Sequence, residues 1–156
     1  MKRVNDIFYS LQGEGRNTGR AAIFIRFSGC NLKCPFCDTN FASYEELSDE
    51  QILPRISHYP SRFVVLTGGE PSLQVDSHFI SLMHDHGYEL AMETNGTYPI
   101  AQGIDWVTCS PKGKTVITEC NELKFIFEEY TTTPDDHGIR ADFKYLQPCD
   151  VQDPER

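Results

Sequence analysis

Residues 28–41 read SGCNLKCPFCDTNF and set Cys30, Cys34 and Cys37 at C-x3-C-x2-C. Thiolates hold iron–sulfur clusters, and a cubane cluster has four iron positions to fill. Three local cysteines leave one iron without a protein ligand. A structural cluster would waste that position, whereas a catalytic one needs it open for a substrate or cofactor. Zinc is the plainer alternative, because closely spaced cysteines in an intracellular chain are often its ligands. Zinc knuckles, however, come as two C-x2-C pairs or with a C-terminal histidine pair, and neither stands here. The spacing favours iron–sulfur and leaves zinc open. The apolar run 22–27 precedes the cysteines, so they are expected on a loop after a strand. That is where a barrel-type α/β fold places its chemistry. Phe36, directly before the third cysteine, is placed to shield a cluster from water and to flank a bound nucleoside.

Working outward, the whole chain of 156 residues is expected to form a single domain, 1–156, large enough to bury a core. Hydrophobic content of 39% and charged content of 24% are ordinary for a globular protein and exclude disorder. A net charge of −9 argues against binding nucleic acid through its phosphates and leaves a small-molecule substrate or a protein partner. No apolar run approaches a membrane span, and the charged start MKRVND has no signal-peptide core behind it. The expectation is a cytoplasmic chain with no membrane association. In a reducing compartment cysteines point to metal or catalysis before disulfides. Cys109, Cys120 and Cys149 are scattered and read as small buried hydrophobes.

In chain order, residues 5–11 alternate weakly and predict a short strand. QGEG at 12–15 follows, with glycines either side of Glu14 that permit a tight turn or close approach to a ligand. Residues 21–27, AAIFIRF, predict a strong strand interrupted by Arg26, which either faces outward or clamps a carboxylate with its fork. Ser48 and Gln51 stand in capping-box register ahead of a helix over 49–58 that must absorb Pro54. A strand at 62–67 runs into TGGEP at 67–71. A helix from residue 72 or 73 to 86 is predicted, its apolar face made of Val75, Phe79, Leu82, Met83 and His86, with Gly87 as its stop. Further strands fall at 88–94, 105–109, 123–127 and 141–146. The repeated strand–helix–strand order predicts a parallel sheet. Glu93, Asn95, Ser110, Lys112 and Gln147 all lie just after predicted strands and are expected at one mouth. The HDH run at 84–86 sits at a helix end, where histidines suit the dipole, and reads as structural; His58, His78 and His137 suggest no constellation.

C-x3-C-x-aromatic-C followed one strand later by TGGEP resembles the radical S-adenosylmethionine (radical SAM) superfamily. The resemblance implies an α/β fold, an incomplete, trimmed (β/α)6 parallel barrel with few covering helices. It implies a 4Fe-4S cluster on Cys30, Cys34 and Cys37, with S-adenosylmethionine on the open iron. Phe36, Gly68, Gly69, Glu70, Glu93, Asn95, Ser110, Lys112 and Gln147 would then bind the cofactor. The backbone at the two glycines and the Glu70 carboxylate would meet its ammonium, and the others its carboxylate and ribose. YSLQGEG, IRFSGCNL and CDT resemble, within that superfamily, the 7-carboxy-7-deazaguanine synthases, over residues 8–148. That likeness implies a lyase acting on 6-carboxy-5,6,7,8-tetrahydropterin with loss of ammonia. Arg26 would clamp the substrate carboxylate. Gln12, Glu14 and the Leu11 backbone would read the pterin edge, Thr67 would face the substrate, and Thr39 would be the protein ligand to Mg2+. A reductant such as flavodoxin or ferredoxin and a homodimer are implied as well. Members of that family continue past the LQP element with a further helix and a segment carrying a substrate-facing histidine. This chain stops at Arg156, so either the sequence is cut short or its pocket closes differently. Two rivals are a glycyl-radical-enzyme activating protein of the same superfamily and a non-catalytic iron–sulfur or zinc module.

Overall fold

The computed structural model describes residues 1–35, 37, 39, 41–127 and 134–148. Its strands are β1 (Lys2–Leu11), β2 (Ala21–Phe27), β3 (Glu45–Leu47), β4 (Phe63–Gly68), β5 (Glu89–Thr94), β6 (Trp106–Cys109), β7 (Glu119–Phe127) and β8 (Arg140–Pro148). Two helices, α1 (Asp49–Ser57) and α2 (Ser77–Asp85), and two short 3-10 turns complete the described elements. All eight strands form one sheet in the order β3-β1-β2-β4-β5-β6-β7-β8. From β2 to β8 every neighbouring pair is parallel, while β1 is antiparallel to both β2 and β3. Six parallel strands with few helices were expected from residue 21 onward; they form an open sheet whose ends, β3 and β8, do not meet. No described helix is long and apolar enough to cross a membrane.

Strand periodicity divides the core. On one face Ile23, Ile25 and Phe27 of β2, Val64 and Leu66 of β4, and Leu90 and Met92 of β5 pack under Ile52 and Ile56 of α1 and Phe79, Ile80 and Met83 of α2. On the other face Ala22, Phe24, Phe63, Val65 and Ala91 form a smaller cluster, with Phe8 stacked on Phe24 at 5.0 Å and Trp106 alongside. The first face needs both helices to bury it. The second is the floor of a concavity.

Several boundaries differ from the sequence expectation for identifiable reasons. β1 begins three residues early because Lys2, which reads as solvent-facing, is 4% exposed. Its ammonium meets Asp49 at 2.6 Å and Asp76 at 3.5 Å and lies 5.0 Å from the Phe79 ring centre. β3 was not foreseen, since two of its three residues are exposed glutamates; only Leu47 is buried, and Glu45 takes both arms of Arg55 at 2.6 and 2.7 Å. α1 carries the expected capping box and holds Pro54 inside it. α2 starts at Ser77 rather than 72 or 73, because residues 71–73 form a 3-10 turn and Asp76 is the true cap, accepting from Phe79 N at 2.9 Å. The shorter helix buries Ile80, and His86 is exposed. His84 Nε2 meets Asp105 at 3.0 Å and His86 Nδ1 meets the Leu82 carbonyl at 2.9 Å, so the HDH run is structural here. His78 does have a constellation, contrary to expectation: Nδ1 is 2.9 Å from Asp49, next to Asp76. The Lys2 ammonium already stands between those two carboxylates.

Phe79 is fully buried and edge-on to Phe27 at 6.5 Å. Phe79→Ala is expected to destabilise the fold by about 3–5 kcal/mol; a denaturant midpoint unchanged from wild type would refute the packing role.

Candidate active site

The C-terminal ends of the parallel strands open on a cleft of about 760 Å³, a size that suits small-molecule ligands. Cys30, Cys34, Cys37 and Thr39 border it, as do Gly68, Gly69, Asn95, Ser110, Lys112 and Gln147. So do Gln12, Glu14, Arg26, Thr67 and Glu93. Residues that the sequence scattered over more than a hundred positions are therefore brought to one place. Phe36 lies outside the described residues, as do Asp38 and Cys149.

The cysteine loop is held by backbone. Gly69 N donates to the Phe27 carbonyl at 2.9 Å and Glu70 N to the Gly29 carbonyl at 3.0 Å. A Cβ on Gly69 would overlap the Gly29 carbonyl, and Gly68 has φ +101. The two glycines are thus required by the close approach of two loops. At the base of the loop Ser28 Oγ donates to the Phe41 carbonyl at 3.1 Å. At its tip Cys37 N donates to the Cys34 carbonyl at 3.1 Å, and Cys30 Sγ accepts from Leu32 N at 3.4 Å. Asn95 Nδ2 reaches Cys30 Sγ at 3.8 Å and Asn31 Oδ1 at 3.2 Å.

The three thiols are unbridged and share the rim of the cleft. Burial pushes the Cys34 thiol up; Lys112 opposes that, while Cys30 and Cys37 add to it. Without a metal the site therefore disfavours the thiolate at Cys34, and a bound cation would reverse this. The donor set fits a cluster with three protein ligands and one open iron.

Glu70 needs correction. It was expected to meet the cofactor's ammonium, but it is 1% exposed and its carboxylate is already engaged. Oε1 accepts from Ser72 N at 3.2 Å, Ser72 Oγ at 2.6 Å and Thr94 Oγ1 at 2.6 Å; Oε2 accepts from Asn95 N at 2.7 Å. Glu70 is a brace between the loops after β4 and β5. Leu11, whose backbone was expected at the pterin edge, ends β1 opposite Ala21, is 63% exposed, and does not border the cleft, which Gln12 does.

Below the thiols runs a polar row set by strand register. Arg26 pairs with Thr67, Glu93 with Thr108, and Thr108 with Glu122. Glu93 joins the two halves, accepting from Thr67 Oγ1 at 2.9 Å and from Gln12 Nε2 at 3.1 Å. This places Glu93 with the residues read as substrate-facing rather than with the cofactor group. Arg26 lies 5.5 Å from the Phe8 ring centre and has no hydrogen-bond acceptor among the described residues. Lys124, which the sequence reading passed over, donates to Glu14 Oε2 at 2.5 Å. Inside LKFIF a lysine looks like an outward strand position. Only the register, with Lys124 two residues after Glu122 on the same face, reveals that it points into the cleft.

Parallel strands that carry an open cysteine triplet on the first loop and a glycine pair on the next are the signature of radical SAM proteins. A sequence profile of the Radical SAM superfamily matches residues 24–113. The 7-carboxy-7-deazaguanine synthase of Bacteroides thetaiotaomicron is 48% identical over 156 residues, covering 96% of this chain and 82% of that protein. The protein of the same name from Nitratidesulfovibrio vulgaris is 42% identical over 177 residues, covering 95% and 82%. The crystal structure of QueE from Escherichia coli superposes with a TM-score of 0.76 at 29% identity, over 97% of this chain and 85% of that one. The chain belongs to the radical SAM superfamily and, within it, to the 7-carboxy-7-deazaguanine synthase family.

Gly69→Ala should force the two loops apart, at about 1–3 kcal/mol, and sharply reduce the iron bound on anaerobic reconstitution. Full iron loading in that variant would show that the glycine contact does not hold the cysteine loop.

Proposed function

We propose that this chain is a radical SAM lyase that converts 6-carboxy-5,6,7,8-tetrahydropterin to 7-carboxy-7-deazaguanine, with loss of ammonia, in queuosine and 7-deazapurine biosynthesis. The observation that carries the reading is the shared cleft: three unbridged thiols at its rim and an arginine–glutamine–glutamate floor beneath them. A cluster alone would need only the rim.

Cys30, Cys34 and Cys37 would hold a 4Fe-4S cluster by three irons and leave the fourth for S-adenosylmethionine. When bound, this pair supplies the radical that takes hydrogen from the substrate. The backbone at Gly68 and Gly69 would face the cofactor's ammonium, and Asn95, Ser110, Lys112 and Gln147 its carboxylate and ribose. Arg26, whose fork lies over Phe8 and has no hydrogen-bond acceptor among the described residues, would clamp the substrate carboxylate. Gln12 and Glu14 would read the amide-and-amine edge, with Thr67 and Glu93 completing that wall. Thr39 Oγ1, 3.5 Å from the Gly68 carbonyl, borders the cleft and would be the protein's ligand to Mg2+. The apolar floor under the polar row would help exclude water. A cytoplasmic location, a small electron carrier such as flavodoxin or ferredoxin as reductant, and a homodimer that hides the free edge of β8 belong to the same proposal.

Anaerobically reconstituted, reduced protein given S-adenosylmethionine and the carboxytetrahydropterin should form the deazaguanine acid, faster with Mg2+ than without. A colourless zinc protein, or cofactor cleavage with no deazapurine formed, would overturn the reading. Arg26→Ala is expected to abolish turnover and keep the cluster; loss of the cluster's absorption in that variant would contradict the clamp.

A further inference from the structure

The loop that carries Gln12 and Glu14 hangs from β7 at two points. Arg16 N donates to Glu122 Oε2 at 2.8 Å, and Lys124 Nζ donates to Glu14 Oε2 at 2.5 Å. The first tie depends on Gly15, which has φ +67 and lies so close to Glu122 that a Cβ would overlap its carboxylate. The base of the loop is closed separately, by Gln12 N to the Arg20 carbonyl at 2.8 Å and Gly19 N to the Gln12 carbonyl at 2.7 Å. Those backbone bonds hold the loop whatever stands at position 124. What they do not fix is where the two carboxylates of the pocket wall point.

Glu93 is held by Thr67 Oγ1 and Gln12 Nε2, but for Glu14 that task falls to one ammonium. The Lys124 side chain is 10% exposed, and its Nζ lies between Glu14, at 2.5 Å, and Glu93 Oε2, at 4.0 Å. Glu122, 2% exposed, lies on the same strand and face. Two partly exposed carboxylates thus flank a nearly buried cation, with Glu122 close by on its own strand. Burial alone would pull the ammonium down, but Glu93 and Glu14 outweigh it and hold it above the usual lysine range. The Glu122 carboxyl is pushed up by its own burial, against the Arg16 N–H and the nearby Lys124. The Lys124 bond uses Glu14 Oε2, and Oε1 accepts no hydrogen bond from the described residues. It remains available to a donor in the cleft.

We infer that Lys124 is the positioning residue for the substrate's amide-and-amine edge: it orients Glu14 and supplies the counter-charge to Glu14 and Glu93 in the wall of the cleft without itself touching the reacting atoms. The inference rests on the pterin reading above and adds a residue to it. Removing the cation takes the nearest counter-charge from Glu14, Glu93 and Glu122, beside the neutral Gln12, Thr67 and Thr108, and leaves Arg26, across Thr67 from Glu93, as the remaining cation of the row. Such a cluster takes up a proton, and a protonated carboxyl is a poor acceptor for two N–H donors.

The test compares wild type, Lys124→Met and Lys124→Arg as full-length, anaerobically reconstituted protein. Iron content, S-adenosylmethionine binding and the dissociation constant for 6-carboxytetrahydropterin are measured by calorimetry and spectroscopy across neutral to alkaline pH. Lys124→Met should keep its iron and its S-adenosylmethionine affinity but bind the pterin about ten- to a hundredfold more weakly. The deficit should shrink as the pH rises and the acids lose their proton, whereas wild type stays flat over the same window. Lys124→Arg should recover most of the affinity and the flat profile. If Lys124→Met does not fold, Lys124→Gln with Glu122→Gln removes one cation and one anion together and should give the same pH-dependent loss. Wild-type pterin affinity and a flat profile in the Met or the double variant would overturn the role of Lys124 alone. Failure of wild type to bind the pterin at all would overturn the reading beneath it, and the role with it.

Discussion

The site depends on one buried carboxylate. Glu70 lies between the loops after β4 and β5, and its own backbone N–H reaches the loop after β2. Three consecutive parallel strands therefore end in loops that cannot move independently. Each hydrogen bond to the charged group contributes about 1.5–3 kcal/mol, which offsets the loss of hydration that would otherwise exclude an unpaired carboxylate from the interior. With Gly69 set against Gly29, backbone contacts alone join the loop after β2 to the loop after β4.

The layering of the cleft follows from the period of a strand. Moving up the concave face two residues at a time leads from the apolar set Phe24, Val65 and Ala91 to the polar row Arg26, Thr67 and Glu93. The thiols stand on the loop beyond. A dry floor and a polar wall thus arise from β2, β4 and β5 alike, and the loop after β2 alone supplies the soft-ligand rim. Because β2 to β8 run in the same direction, all their carboxyl ends face the same cavity. The antiparallel β1 instead delivers its C-terminal end, and hence Gln12 and Glu14, across the row.

Much of this could be read before the fold was in view, and the exceptions have a common cause. Local signals worked. The cysteine spacing, the strand at 21–27, the capping box at Ser48 and Gln51 and the position of Asn95 and Ser110 after strands all correspond to what is observed, whereas Gln147 lies inside β8 rather than after it. Partners distant in sequence did not announce themselves. Lys2 looks solvent-facing until Asp49, 47 residues on, is brought beside it. Glu70 reads as an exposed acid in a cofactor motif until Thr94 and Asn95 turn it into a brace. Lys124 is hidden in an apolar strand, and Glu14, 110 residues away, is the residue that explains it. Asp76 was missed as the cap of α2 because the helix was expected to begin at residue 72 or 73, where a 3-10 turn stands instead. Sequence patterns report which residues share a face; they do not report which two charges will meet.

The Lys2 cluster fastens the end of the sheet that carries the cysteine loop. Asp49, Asp76 and His78 converge as ligands to a divalent ion would, yet the positive charge among the carboxylates is a side-chain ammonium fixed to β1. A covalently attached cation does not dissociate, exchange or yield to a chelator. The joint between the two helix starts and the first strand is therefore independent of metal supply. That joint stands at the same end of the sheet as the cysteine loop, where Ser28 N donates to the Arg3 carbonyl at 2.8 Å one residue from Lys2, so the scaffold beside the cysteines is tied down by side chains of the chain itself.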